Sequence, residues 1–320
     1  MANPKLRLGF REPEIDTNRP FVDGTVTVDG FDLEISDYRG AEYIDAWDAS
    51  FGGLMTTKGK GEHPYVSIPV FPNRKFRLGY IFVNSKSGIE SPKDFEGKRV
   101  AIFQQDNTAA IWSRGALLNY YGVDFTRVKW FVPGTEARSW GADISVEPLA
   151  LGPGRRDTEL DELLMKGDID VVMGPNVLPS VSRKDPRTRR LFPNYPAEEK
   201  KYYKDTGIFP ISHVVSLTAE FVDKHPEAPI ALLEAYRRAR DVAFDRIYGT
   251  DPEIVTISWA AAAIDDQRAA MGENYWPYNI KDNARTLESM MQFAQQLGVT
   301  SEKLDYMSHF HPGAAAHPGY

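Results

Sequence analysis

The chain has 320 residues, 42% of them hydrophobic and 26% charged, and its 38 basic and 45 acidic side chains give a formal charge of 38 − 45 = −7. This is the composition of a folded globular protein long enough for two lobes with a core each, which excludes disorder. No basic run exceeds Arg187 to Arg190, which argues against a nucleic-acid partner, and the absence of cysteine removes disulfides, thiolate zinc sites and thiol nucleophiles.

Lys5 to Phe10 reads as a first strand, with no apolar run of signal-peptide length before it and no membrane-spanning segment after it. The expectation is a cytoplasmic protein with no membrane partner. Asn18 to Val26 reads as a short helix and turn, and Phe31 to Ile35 as a second strand. Trp47 to Met55 is a strand end running into a small-residue helix start, where free N–H groups and the helix dipole suit an anion. Tyr65 to Phe71 and Tyr80 to Asn84 are apolar runs of strand length, separated by the basic, hairpin-like segment Asn73-Arg74-Lys75-Phe76-Arg77.

Ser91 to Val123 holds a complete unit. A turn from Ser91-Pro92 to Gly97-Lys98 precedes a buried strand at Arg99 to Phe103. Polar residues Gln104 to Thr108 then supply N-cap chemistry for a helix that Gly122 ends. Val128 to Val132 and Asp143 to Val146 carry strand signals, Leu149 to Arg156 is a loop matching no nucleotide fingerprint, and Asp157 to Lys166 is an amphipathic helix. Gly167 to Asn176 gives strand, turn and a third helix start at the same sheet edge. Arg183 to Tyr203 reads as surface loop and short helix, and Thr206 to Leu217 as an apolar return strand holding His213. Helices are predicted over Thr218 to Tyr248, Pro252 to Gly272 and Asn283 to Leu297, and Phe310 to Tyr320 reads as a tail. His63 and His225 read as surface residues.

The alternation predicts a two-lobed α/β protein with mixed sheets and helices on both faces, not a barrel. The predicted lobes are 1–84 with 210–320, and an inserted 85–209. The cleft between them is the expected ligand site.

The order of motifs resembles the type II periplasmic-binding-protein fold, first through Ser91-Pro92-Lys93-Asp94-Phe95-Glu96-Gly97-Lys98-Arg99-Val100. More specific are Ile68 to Pro72 with Phe76-Arg77, Ile81 to Asn84, Thr108 to Gly115, Tyr202 to His213 and Met271 to Tyr278. Together these resemble 4,5-dihydroxyphthalate decarboxylases over nearly the whole chain. The resemblance implies a cytoplasmic lyase of aromatic-compound catabolism, in phthalate degradation, that decarboxylates a dihydroxylated aromatic acid in the inter-lobe cleft. The family pattern has a histidine after the Phe-Arg pair, where this chain has Leu78-Gly79, and an acidic residue before the helix at Thr108, where it has Gln104-Gln105-Asp106.

Such a reaction needs cations or N–H groups to hold carboxylates, an acid to protonate the ring carbon and a base for the phenol. The ring can hold the electrons as a dienone, so no cofactor is expected. A divalent metal is the lesser alternative, with His309-Phe310-His311 its candidate spacing. Arg77 and Arg114 are the carboxylate candidates, although an arginine placed as Arg114 is usually a surface or inter-lobe ion pair. Thr108, Asn107 and Ser50 are helix caps or ligands of a substrate oxygen. His213 is the candidate proton carrier and Asp48 its carboxylate partner, against readings as a core histidine and a strand-end cap. Glu273 and Trp276 lie in a loop with Tyr275 and Tyr278 that would wall the ring or pack on the last helix. The expected partner is a small aromatic carboxylate, and a homo-oligomer is left open. The alternative function is a non-catalytic solute-binding protein of the same fold.

Overall fold

The computed structural model describes residues 2–38, 43–59, 61, 64–136, 138–140, 144–152, 155–248 and 256–318. The chain begins with strand β1 (Lys5–Phe10), the single-turn helix α1 (Arg19–Val22), strands β2 (Asp32–Asp37) and β3 (Ala46–Ser50), helix α2 (Phe51–Gly59) and the short strand β4 (Tyr65–Ser67). After a 3₁₀ turn at Leu78–Tyr80 come β5 (Ile81–Asn84), β6 (Arg99–Ile102), helix α3 (Thr108–Asn119), β7 (Lys129–Pro133), β8 (Arg138–Trp140) and β9 (Ile144–Leu149). Helix α4 (Arg156–Lys166), β10 (Val171–Met173), the short α5 (Pro179–Ser182), β11 (Thr188–Arg190) and α6 (Tyr195–Thr206) follow. The last third holds β12 (His213–Thr218) and helices α7 (Ala219–Lys224), α8 (Ala228–Tyr248), α9 (Ala260–Met271), α10 (Ala284–Gln296) and α11 (Pro312–Ala316).

The strands form two mixed sheets, ordered β2-β1-β3-β12-β4 and β11-β5-β10-β6-β7-β9-β8. β12 runs antiparallel to both neighbours in the first, while β10, β6, β7 and β9 make the parallel centre of the second. The chain passes between the sheets along two segments, 68–77 and 208–213, that lie side by side. They are tied by Ser212 N and His213 N to Asn73 O (2.8 and 3.1 Å) and by Lys75 N to Pro210 O (3.1 Å). The basic segment Asn73 to Arg77 is therefore one of these crossings and not a hairpin, because the strands flanking it belong to different sheets. β5 pairs with β10 and β11, so a division of the chain by sheet passes before Ile81.

Other differences have local causes. The charged stretch after Arg183 contains an edge strand, Thr188–Arg190, that borrows its order from β5 and carries no apolar pattern of its own. The helix predicted from Thr218 breaks into α7 and α8 around His225-Pro226, where the proline removes a donor. The helix predicted from Pro252 begins at Ala260, and residues 251–255 lie outside the described residues, as does His63. His225 is not a free surface residue, since its ring packs edge-on to Phe31 at 5.7 Å. Nor is 310–318 a tail: Phe310 is buried and bridges to Ser67, and α11 packs on α8 with Ala314 buried. Among the described residues no helix is long and apolar enough to cross a membrane.

Helix α3 is the element both halves share. Every residue from Thr108 to Leu117 is buried. The Trp112 indole donates to Ile211 O at 2.7 Å and meets the Phe293 ring of α10 edge-on at 5.7 Å. Gly115 lies against that ring so closely that a Cβ would stand 2.0 Å from it.

Candidate functional site

Strand register assembles the first pair of groups. β3 and β12 place His213 opposite Ser50 and Val215 opposite Asp48. Alternation along β3 puts Asp48 and Ser50 on one face, so His213 reaches Asp48 diagonally. His213 Nδ1 lies 3.4 Å from Asp48 Oδ2, and Asp48 Oδ1 accepts the Arg11 amide at 2.7 Å. The Asp48 side chain is fully buried, while that of His213 is 10% exposed and lines a cavity.

That cavity, about 560 Å³, lies where the ends of β3 and β12, the start of α3, both crossings and the loop after β10 converge. The volume suits a small organic acid. Its walls include Arg11, Glu12, Ser50, Asn73, Arg74, Lys75, Arg77, Asn107, Thr108, Pro175, Asn176, Ser212, His213 and Trp276. The third predicted helix start does not face it as a helix: Pro175 and Asn176 line the wall as loop, and α5 begins later at Pro179.

Two helix starts do meet there. Asn107 is the N-cap of α3, its Oδ1 accepting Ala109 N at 2.9 Å. Thr108 is therefore not the cap. Its Oγ1 accepts Gly52 N from the first turn of α2 at 2.9 Å and shares a hydrogen bond with Ser50 Oγ at 3.0 Å. Gly52 is required at this approach, because a Cβ would stand 2.6 Å from Asp106 O.

Two buried guanidinium groups line the wall without a carboxylate partner among the described residues. Arg77 donates to Ser212 Oγ at 2.7 Å and to Pro175 O at 3.4 Å, and its buried Nε has no partner. Burial pushes it down to about 10, against the opposing pull of Tyr80 and Glu199, and it stays charged at neutral pH. Arg74 donates to Asn283 Oδ1 and Phe209 O, both at 2.7 Å, and lies 4.2 Å over the Phe209 ring; burial pushes it down to about 9. A buried cation without a counterion is costly unless an anion visits it.

Of the nine candidate residues, Ser50, Arg77, Asn107, Thr108, His213 and Trp276 line this cavity, and Asp48 stands behind it. Arg114 does not reach it. Its guanidinium folds back along α3 to Ala110 O (3.1 Å) and Gln105 O, fully buried. Glu273 is a correction too, its side chain being 83% exposed and paired with Arg268. Trp276 lines the cavity with its indole N–H held by Phe71 O at 2.9 Å, whereas Tyr275 and Tyr278 are buried away from the cavity against Phe244 and Tyr236. His309 packs on Phe51 and His311 caps α11 through Nδ1, so the His-Phe-His spacing serves packing and capping. The sequence reading missed Arg74, Lys75 and Ser212, which lie on the two crossings; for Arg74 and Lys75 the signal available was the basic run they share with Arg77, and for Ser212 its place beside His213.

Comparison with known proteins adds the following. The family described as NMT1/THI5 like matches residues 74–139. The chain is 29% identical to a 4,5-dihydroxyphthalate decarboxylase of Comamonas testosteroni over 323 residues, covering 97% of this chain and 98% of that one. It is also 29% identical to a protein of the same name from Pseudomonas putida over 219 residues, covering 62% of this chain and 82% of that one. Among solved structures, the periplasmic aliphatic sulphonate binding protein SsuA of Escherichia coli superposes with a TM-score of 0.56 at 13% identity, covering 98% of this chain and 99% of that one. A putative periplasmic sulfonate-binding protein of Methylobacillus flagellatus gives 0.58 at 14%, covering 99% and 94%. The chain thus has the two-lobed fold of periplasmic solute-binding proteins, and the resemblance to 4,5-dihydroxyphthalate decarboxylases read from its sequence extends along nearly all of it.

Proposed function

We propose that the chain is a carboxy-lyase acting on a hydroxylated aromatic carboxylic acid, 4,5-dihydroxyphthalate or a close analogue, bound between the two halves. The observation that carries this reading is the cavity that Arg74 and Arg77, two buried cations without carboxylate partners among the described residues, share with His213 and, behind it, Asp48. The similarity to proteins named 4,5-dihydroxyphthalate decarboxylase supports the reaction class.

In this reading Arg77 grips a substrate carboxylate. Thr108 Oγ1 already accepts from Gly52 N, and if Ser50 also donates to it, its own proton is left for an acceptor. A substrate oxygen is the acceptor we assign. Trp276 borders the ring. His213 delivers a proton to the ring carbon that bears the carboxylate, while the para hydroxyl gives up its proton and the ring becomes a dienone. The bond from ring to carboxylate then breaks, its electrons restore the aromatic ring as a phenolate, CO2 leaves and the phenolate regains a proton. One proton replaces one CO2, with no oxidant consumed. Asp48, fixed by the Arg11 amide, orients the imidazole.

The test is release of CO2 from 4,5-dihydroxyphthalate by the purified protein, alongside His213→Ala, which should bind the acid and release nothing. A non-catalytic binding protein makes no use of the His213–Asp48 pair, and binding without CO2 release by the unmodified protein would establish that alternative instead.

A further inference from the structure

Arg77 touches no carboxylate, yet a buried one lies behind it. Glu199 on α6 is 9% exposed, and its Oε1 accepts the Gly79 amide at 2.8 Å, two residues beyond Arg77. Tyr195, one turn earlier on α6, covers Gly79 so closely that a Cβ there would stand 2.5 Å from the ring. The turn that carries Arg77 is thus clamped to α6 by a carboxylate and an aromatic ring.

The charged and titratable groups near Glu199 come from more than one element. The turn contributes Arg77, whose guanidinium lies 5.6 Å from the Tyr80 ring. β11 contributes Arg190, whose guanidinium lies 4.6 Å over the Tyr195 ring, and α6 itself contributes Tyr195. Further along α6, the approach of α9 is occupied by the Lys200–Asp266 ion pair. Among the described residues neither Arg77 nor Arg190 forms an ion pair with Glu199, whose charge when ionised acts on them from a distance and takes up no donor of Arg77. Burial pushes the Glu199 carboxyl up to about 7, with Gly79 N, Arg190 and Arg77 pulling the other way.

An anion arriving on Arg77 changes this balance. It neutralises the cation that favours the ionised Glu199 and adds a like charge nearby, and both effects favour the protonated carboxyl. We propose that a carboxylate docking on Arg77 is bound together with a proton taken up by Glu199, so that the grip on substrate loosens as pH rises through neutrality. This rests on the reading above that the cavity binds a carboxylate through Arg77. It adds a positioning residue, on a helix outside the cavity wall, whose protonation sets substrate affinity.

Phthalate serves as the probe, because without a para hydroxyl it cannot form the dienone and is not consumed. Calorimetric titration at pH 7 in two buffers of different ionisation enthalpy should show uptake of about half a proton per phthalate bound, and affinity should weaken roughly threefold to tenfold from pH 6 to pH 8. Glu199→Gln, which keeps a carbonyl oxygen for Gly79 N, should remove both effects, and His213→Asn should retain them. Binding by the unmodified protein without uptake, uptake that survives Glu199→Gln, or uptake lost in His213→Asn would overturn the coupling while leaving the carboxylate site in place. Failure of the unmodified protein to bind phthalate and 4,5-dihydroxyphthalate would remove the site and the coupling with it. If Glu199→Gln does not fold, the His213→Asn profile decides alone.

Discussion

His213 and Asp48 meet diagonally across two antiparallel strands, Nδ1 to Oδ2 at 3.4 Å, and the second carboxylate oxygen is anchored by the Arg11 backbone. The carboxylate is thus held in place and the imidazole faces the cavity. Asp48→Asn keeps the shape and removes the carboxylate beside the imidazole. It should lower the rate of CO2 release by about 10²-fold or more, the scale of general acid–base assistance, with phthalate affinity changed by less than about threefold. An unchanged rate would separate the pair from the chemistry.

Arg77 and Arg74 should respond differently to removal. Arg77→Met deletes a buried charge that no carboxylate balances by contact, so the ligand-free protein should lose little stability while phthalate binding falls at least about tenfold. Phthalate at 100 times its Kd should stabilise the unmodified protein by about 2.7 kcal/mol, and this shift should vanish in Arg77→Met. Arg74→Met instead strands Phe209 O and Asn283 Oδ1, both accepted at 2.7 Å, and should cost about 1–3 kcal/mol without any ligand. Denaturant melts with and without phthalate measure both.

Two glycines stand where the halves touch. Gly115→Ala would drive a Cβ into the Phe293 ring, and Gly52→Ala would press one against Asp106 O. Each should destabilise by about 1–3 kcal/mol, the cost of overpacking, or more for Gly52, where the obstacle is backbone. Gly52→Ala should also weaken phthalate binding, since it pushes the start of α2 from Thr108. Urea midpoints and titration calorimetry on the two variants separate these outcomes.

The folded protein should carry a pH signature of Glu199. Its folded-state carboxyl sits at about 7 against an ordinary value of 4.5, so between those values the native chain holds a proton that the unfolded chain releases. Stability from this group is therefore present below about 4.5 and is lost as pH rises through 7, by about 3 kcal/mol in all. Denaturant melts from pH 5 to pH 8 should show this slope in the unmodified protein minus Glu199→Gln. A difference that stays flat would place the carboxyl in the ordinary range.

Much of the framework was readable because period and punctuation agree. The unit from Ser91 to Gly122 folds as its own residues direct: Ser91 and Asp94 form a reciprocal cap, and Gly122 stops α3 at a φ of 65°. Thr188–Arg190 was not readable, because an edge strand of polar residues takes its shape from a partner distant in sequence. At the site, Ser50, Asp48 and His213 were visible as polar residues at strand ends. The arginines were harder. Arg114 and Arg77 look alike in sequence, and only the crossings decide that one turns into its own helix and the other into the hollow. Arg74 was hidden by the same ambiguity, since a basic run between two strands is a surface turn if they pair and a lining wall if they part.

Helix α3 has one more consequence. Its first residues face the cavity while its middle is wedged against Phe293 and Ile211, so a wide swing of one half away from the other would first have to extract Trp112 and Gly115 from that seat. Arg11, Glu12 and Lys75 are exposed charged side chains of the lining, and exposed side chains change rotamer within nanoseconds, against the microseconds to milliseconds of a domain swing. This exposed rim is of mixed sign, so its field acts on any charged molecule before it enters the hollow.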